Sequence, residues 1–183
     1  MDTSNHKDKI LILGHKGMLG HMVKLYMEQF YHVETIEHRW PFDDFKNSIR
    51  KSNAKYLINC IGAIPQRTKN FEVNFELPMW LDQNFTGRII HPGTDCEMDN
   101  DNYGTSKRIG SQWLLEHGLR TKIIKTSIIG LELDGKASLM GWFLSNSDGE
   151  QVNGFINHFW NGSTTLQWVK HAHHMIRSWN KQM

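Results

Sequence analysis

Residues 9–20 read Lys-Ile-Leu-Ile-Leu-Gly-His-Lys-Gly-Met-Leu-Gly, and their order decides the fold. A short apolar run that stops at Gly14 predicts a strand buried on both faces, as in a parallel sheet. From Met18 the apolar residues change period, with Met18, Met22, Leu25 and Tyr26 spaced for a helix. Between the two lies Gly14-x-x-Gly17-x-x-Gly20. In that pattern Gly14 serves a tight turn, Gly17 lets backbone approach a pyrophosphate, and Gly20 lets helix pack on strand. Three glycines alone would fit any strand-to-helix turn; after a strand and opening a helix they predict a dinucleotide loop. Gly14, His15, Lys16, Gly17, Met18 and Leu19 are its candidate cofactor-binding residues.

Working outward, a second strand is predicted through His32–Ile36, followed by Glu37-His38-Arg39. In a dinucleotide fold this position carries an acid for the ribose 2′-hydroxyl or an arginine for a 2′-phosphate. Both Glu37 and Arg39 qualify, and the positive potential of His15 and Lys16 tips the reading towards Arg39 and NADP over NAD. A helix over 41–52 buries Phe42, Phe45 and Ile49, and a third apolar run, Tyr56–Ile61, ends in Gly62-Ala63. Ile61, Gly62 and Ala63 leave room for a flat cofactor at the strand's carboxyl end. A helix over 71–83 is predicted to break or kink at Pro78. A strand at Arg88–His91 leads into Gly93-Thr94-Asp95-Cys96. The next helix carries Ile109, Trp113 and Leu114 inward and is capped by Gly118. One more strand spans Lys122–Ile129. Strands alternating with helices predict an α/β fold, a Rossmann-type parallel sheet with helices on both faces.

The helix after residue 101 opens with Tyr103-Gly-Thr-Ser-Lys107. Residues four apart share a helical face, so Tyr103 and Lys107 point at one spot. A lysine there would lower the phenol's pKa and make Tyr103 a general acid near neutral pH. The same pair occurs on many helices for no chemical reason, so its meaning rests on the glycine loop. Asp95 either touches substrate or caps the following turn.

Past Gly130 the pattern becomes aromatic and small polar, with Trp142, Phe143, Phe155, Phe159 and Trp160, before a last helix over 165–180 with Leu166, Val169, Ala172 and Ile176 on one side. This predicts two units: residues 1–130, binding NAD(P), and residues 131–183, a small substrate lobe. Trp142, Trp160 and Trp168 suit stacking on a base or sugar, or core and subunit contacts. His171, His173 and His174 have no carboxylate or cysteine at ligand spacing, so no metal site is expected. The 21 basic and 19 acidic residues leave a formal charge of +2, which points to neither a nucleic-acid nor a membrane partner. No apolar run reaches membrane-spanning length and residues 1–9 do not form a signal peptide, so a cytoplasmic location is expected. Cys60 and Cys96 read as free thiols.

The ordered set Gly14-x-x-Gly17-x-x-Gly20, Asn59-Cys60-Ile61-Gly62, Val73-Asn74, Thr94-Asp95-Cys96, Tyr103-x-x-x-Lys107 and Lys125-Thr126-Ser127 resembles the extended short-chain dehydrogenase/reductases, and most nearly their dTDP-4-dehydrorhamnose reductase group. The resemblance implies an NAD(P)-dependent oxidoreductase of nucleotide-sugar and polysaccharide biosynthesis, with a C-terminal lobe closing over the sugar nucleotide. It further implies that Tyr103 protonates the sugar oxygen, that Lys107 binds the nicotinamide ribose, and that Thr94 hydrogen-bonds the substrate carbonyl. Catalytic Thr94, Tyr103 and Lys107 are thus expected. Two features depart from the pattern. The connection from Thr94 to Tyr103 is short, and the chain stops at Met183 where relatives continue, so the pocket is expected to be open or completed by a second subunit of a homo-oligomer. A dinucleotide-binding module without catalysis, regulatory or structural, and an epimerase or dehydratase are the alternatives.

Overall fold

The computed structural model describes residues 7–157 and 160–180. Phe159 and the polar residues 1–6, on which part of the sequence reading rests, lie outside them.

Five parallel strands form the main sheet: β1 (Lys9–Leu13), β2 (His32–Thr35), β3 (Tyr56–Asn59), β4 (Arg88–Gly93) and β5 (Thr121–Lys125), in the order β2-β1-β3-β4-β5. In register, Ile10 lies beside Val33 on one side and Tyr56 on the other. The chain leaves β1 for β2 on one flank, then crosses to β3 on the opposite flank. The switch point between β1 and β3 is where open α/β sheets hold ligands. One strand lies beyond β1 on the β2 flank, where the six-stranded dinucleotide-binding order has two.

Successive residues of a strand face opposite sides, so β1 feeds two cores. Ile10 and Ile12, with Tyr56, Ile58 and Ile90, pack against Val23 and Met27 of α1 (Met18–Met27) and against α6 (Thr165–Arg177). Leu11 and Leu13, with Leu57 and Ile89, pack against Phe45 and Ile49 of α2 (Asp43–Lys51) and Leu77 and Leu81 of α3 (Val73–Asn84). Such burial on both faces is why β1 and β3 read as unbroken apolar runs.

The structure corrects several element expectations. Helix α3 runs as one element through Pro78. Proline cannot donate to Asn74 O, and that is the carbonyl against which Gly110 of α4 (Asn102–His117) is seated; a Cβ at Gly110 would lie 2.6 Å from it. The face of α4 that is buried carries Gly104, Ser106, Lys107, Gly110, Ser111 and Leu114, with Gly104 seated on the Cys96 carbonyl, while Ile109 is exposed. The strand expected over 122–129 divides, because Ser127 turns its hydroxyl to the Asp95 carboxylate. Its second part, β6 (Ile128–Ile129), pairs with β7 (Ser163–Thr164) in a separate two-stranded sheet, and α5 (Leu139–Phe143) lies between them in the chain. On α6, Trp168 is buried with Val169, Ala172 and Ile176, and Leu166 faces out. The division at Leu131 assigns α6 to the second lobe, yet α6 packs in the same core as β1 and α1.

At the far end of the sheet, Asp82 of α3 anchors the turn into β5. Its carboxylate accepts from Leu119 N and Arg120 N, each at 3.0 Å, and from Thr121 Oγ1 at 2.7 Å. A buried carboxylate satisfied three times over fixes how α4 hands the chain to β5.

Candidate cofactor and substrate site

A cavity of about 340 Å³ opens at the carboxyl ends of the strands, walled by Gly17 after β1, Cys60–Ile64 after β3, Thr94 after β4 and Thr126 after β5. At one end lies the glycine loop. Gly14 has φ +71°, and a Cβ there would meet Cys60 O at 2.8 Å. Gly20 is held tighter still, since a Cβ would lie 2.0 Å from Gly14 O. Around Gly17 the nearest such atom is Gly14 O at 3.4 Å, so nothing in the protein crowds that side. Helix α1 starts there without a side-chain cap and without an acid in its first turn. Uncapped amides, no carboxylate and open space fit a pyrophosphate.

Ile61, Gly62 and Ala63 form the next stretch of wall, held by two buried asparagines. Asn59 Oδ1 accepts from Ile61 N at 3.1 Å, and its amide pairs with His91 Nδ1 at 3.3 Å. Asn74 accepts from Ala63 N at 2.8 Å and donates to Ala63 O and to Ser106 Oγ, both at 3.0 Å. Asn74 therefore ties the cofactor wall to the helix that carries Tyr103 and Lys107. Sequence reading noted Asn74 only as part of a motif, without a role.

Thr94, Tyr103 and Lys107 line the same cavity, together with Gly17, Met18, Leu19, Ile61, Gly62 and Ala63. Thr94 caps the 3-10 turn Asp95–Met98, where its hydroxyl accepts from Cys96 N at 3.3 Å and donates to Asp95 Oδ1 at 3.2 Å. Tyr103 lies edge-on to Phe71, the ring centres 5.9 Å apart. Burial pushes its phenol up to about 12, Cys96, Asp95 and Asp101 reinforce the rise, and the Thr94 hydroxyl opposes it. Lys107, 7 % exposed, donates to Pro92 O at 2.8 Å. Burial brings its ammonium down to about 8, with Glu97 opposing. The expected lowering of the phenol by Lys107 is therefore overturned: the ammonium is turned to Pro92 O, and the phenol stays protonated across the neutral range. A protonated phenol is the form a proton donor needs. Asp95 serves the turn, accepting from Cys96 N at 3.0 Å and from Ser127, and these bonds hold its carboxyl below the usual range against the effect of burial.

The ribose end is built differently from expectation. Glu37 reaches back to the glycine loop, with Oε2 at 2.7 Å from Lys16 Nζ and Oε1 at 3.1 Å from His15 Nε2, and the bond to Lys16 holds its carboxyl below the usual range. Gly14, His15 and Lys16 stand behind the cavity rather than in its wall. Arg39 is exposed, and among the described residues its side chain makes no hydrogen bond or ion pair. The carboxylate thus neutralises the lysine that would meet a 2′-phosphate. Glu37→Gln is expected to raise affinity for NADPH relative to NADH by about tenfold, read by fluorescence titration with each. An unchanged ratio would remove Glu37 from cofactor choice.

No protein-family model and no curated protein matches the sequence. Solved structures do match. A hypothetical dTDP-4-dehydrorhamnose reductase from Sulfolobus tokodaii superposes with a TM-score of 0.71 at 15% identity, over 92% of this chain and 72% of that one. The chain shares the fold of these proteins, a Rossmann-type parallel sheet with helices on both faces. A GDP-L-fucose synthetase from Naegleria fowleri bound to NADP gives 0.63 at 13% identity, over 93% and 73%. The capsular polysaccharide assembling protein CapF from Staphylococcus aureus gives 0.66 at 16%, where the match spans 92% of this chain and half, 50%, of the other.

On this fold the other end of the cavity is walled by Ile128, Ile129, Gly130, Glu132 and Leu139, with Gln66 and Arg67 opposite. Arg67 and Glu132 form an ion pair across 65 residues of sequence, and Ser138 N donates to Glu132 at 2.8 Å. Nothing local in the sequence marks this pair, since its partners lie on separate loops. Among the described residues no group of histidine, cysteine and acidic side chains is placed to hold a metal, and no helix is long and apolar enough to cross a membrane. His173 packs among Tyr26, Phe30 and Tyr31, away from His171 and His174, which face out. Trp168 lies in the core, whereas Trp142 and Trp160 are exposed.

Proposed function

We propose that the chain binds NADP or NAD and reduces the keto group of a keto-deoxy nucleotide sugar. The observation that carries this reading is the convergence of Thr94, Tyr103 and Lys107 on a cavity whose other end is the open, uncapped glycine loop. The bound nicotinamide supplies a hydride to the carbonyl carbon. The carbonyl electron pair moves to oxygen, Tyr103 gives that oxygen its proton, and the phenol is replenished from solvent. The Thr94 hydroxyl holds the carbonyl oxygen, and the Lys107 ammonium, which spends one proton on Pro92 O, has others to donate to the nicotinamide ribose. Residues 131–183 contribute a partial substrate lobe, through Glu132 and Leu139 at the cavity and through apolar side chains around it.

The test mixes purified protein and NADPH or NADH with a panel of 4-keto-6-deoxy sugar nucleotides and follows loss of reduced-nicotinamide absorbance. Tyr103→Phe is expected to turn over about 10³-fold more slowly, the size of a lost general acid. Equal turnover in Tyr103→Phe, or none in the wild type, overturns the reading. A second reading, a dinucleotide-binding module without turnover, draws support from the uncovered sugar side, where Leu139, Trp142 and Phe155 stand exposed. NADPH binding by calorimetry with no sugar turned over would favour it. Dehydration or epimerisation with a tightly held cofactor is a weaker variant, because the acid beside Thr94 is engaged by Ser127 and Cys96.

A further inference from the structure

Glu97 is a charged residue with 4% exposure, three residues after Thr94 and its partner in a capping box. Its Oε1 accepts from Thr94 N at 3.3 Å and from Ser111 Oγ on α4 at 2.7 Å. Its Oε2 lies 2.6 Å from Lys125 Nζ at the end of β5. The backbone of the same residue is held too, since Arg108 Nη1 donates to Glu97 O at 2.7 Å. Gly93 makes room for it: a Cβ there would lie 3.1 Å from Oε1. One carboxylate thus joins the end of β4, the end of β5 and the face of α4 that bears Lys107. It is also the charge that opposes the fall of the Lys107 ammonium.

We propose that Glu97 is a positioning residue, holding the Thr94 hydroxyl and the Lys107 ammonium in one arrangement across the short connection to Tyr103. This rests on the reductase reading above. The physical need follows from the loop's length. With only the Asp95–Met98 turn and a few polar residues before α4, the connection buries little apolar surface, and Met98 is 86% exposed. A buried carboxylate with several donors replaces that packing. The charged and titratable groups around Lys107 are His91 on β4, Glu97 on the turn, Tyr103 on its own helix, and Lys125 on β5 paired to Glu97. His91 is kept neutral by burial and by Lys107, which leaves Glu97 as the anion that acts on the ammonium.

Two variants separate positioning from bulk stability. Glu97→Gln keeps the shape but takes from the half-exposed Lys125 its partner; the double variant Glu97→Gln, Lys125→Met removes both charges and leaves the buried site neutral. The double variant is expected to regain wild-type thermal stability while its turnover stays lower by about tenfold or more. KM for the reduced dinucleotide should stay within about twofold, since the glycine loop is untouched. A second readout needs no substrate: the Lys107 side-chain resonance, assigned in carbon-13-labelled lysine spectra by its loss in Lys107→Met, should titrate at lower pH in both variants by about half a unit or more. Full recovery of turnover in the double variant, or a Lys107 titration that does not move, would make Glu97 a structural residue only. Should the wild type turn over no sugar, the reductase reading falls, and the Lys107 titration still decides for or against Glu97.

Discussion

Lys107→Met is expected to lose turnover by at least about 10³-fold while folding as stably as the wild type at pH 7. The ammonium is buried with a single hydrogen-bond partner among the described residues, Pro92 O at 2.8 Å, and is brought from 10.5 down to about 8. That difference, 10.5 less 8, is 2.5 pH units, or about 3 kcal/mol spent on keeping the charge inside at neutral pH. Losing the bond leaves Pro92 O without a donor, which costs about 1–3 kcal/mol. The two effects nearly cancel, with a remainder on the stabilising side. The sign with pH follows from the lowered value in the folded state. Between about 8 and 10.5 the unfolded chain binds a proton that the folded chain does not, so stability from this group rises with pH across that window and is at its least below it. Urea melts at pH 7 and pH 9.5 should therefore show the wild type gaining on Lys107→Met as pH rises. Wild-type turnover should fall above about pH 8, where the ammonium is lost. Unfolding of Lys107→Met at pH 7, or turnover that stays level from pH 7 to 9, would mean that Lys107 is not the buried cation that the site requires.

Trp168→Ala is expected to destabilise the whole chain by about 4 kcal/mol. Trp168 is fully buried at 0% exposure, in the cluster that joins α6 to α1 and to β1 and β3. Its indole nitrogen has no hydrogen-bond partner among the described residues, so what is lost is packing alone. Because α6 completes one face of the main sheet, the loss should appear as one cooperative transition at lower urea, in residues 1–130 as much as in the last helix. Trp168→Phe, which refills most of the volume, should recover more than half of the loss if the alanine variant fails to fold. Two separate transitions would show instead that residues 131–183, α6 included, unfold as a lobe of their own.

The parts of the fold and site that were legible share a physical origin in local sequence. The strand and glycine loop of residues 9–20 could be read because burial on both faces demands an apolar run, and because Gly14 and Gly20 have no room for a side chain. Tyr103 and Lys107 could be paired because helical periodicity brings residues four apart together. The buried face of α4 was misread, since packing against α3 selects Gly110 and packing against the Asp95–Met98 turn selects Gly104, where the sequence shows larger apolar residues. Helix α3 does not break at Pro78, and Gly110 of a neighbouring helix packs close on the freed carbonyl of Asn74, which the local sequence cannot show.

The sequence by itself determined the alternation of strand and helix, the glycine loop and the helical face shared by Tyr103 and Lys107, all of which arise within a few residues of chain. Only the tertiary structure decided that Lys107 turns to Pro92 rather than to Tyr103, that Glu37 occupies Lys16, and that α6 belongs to the main core. It alone brought Glu97 to Thr94, Ser111 and Lys125. Each of these depends on which distant groups share a buried volume, where desolvation and a few donors outweigh any preference that neighbouring residues express.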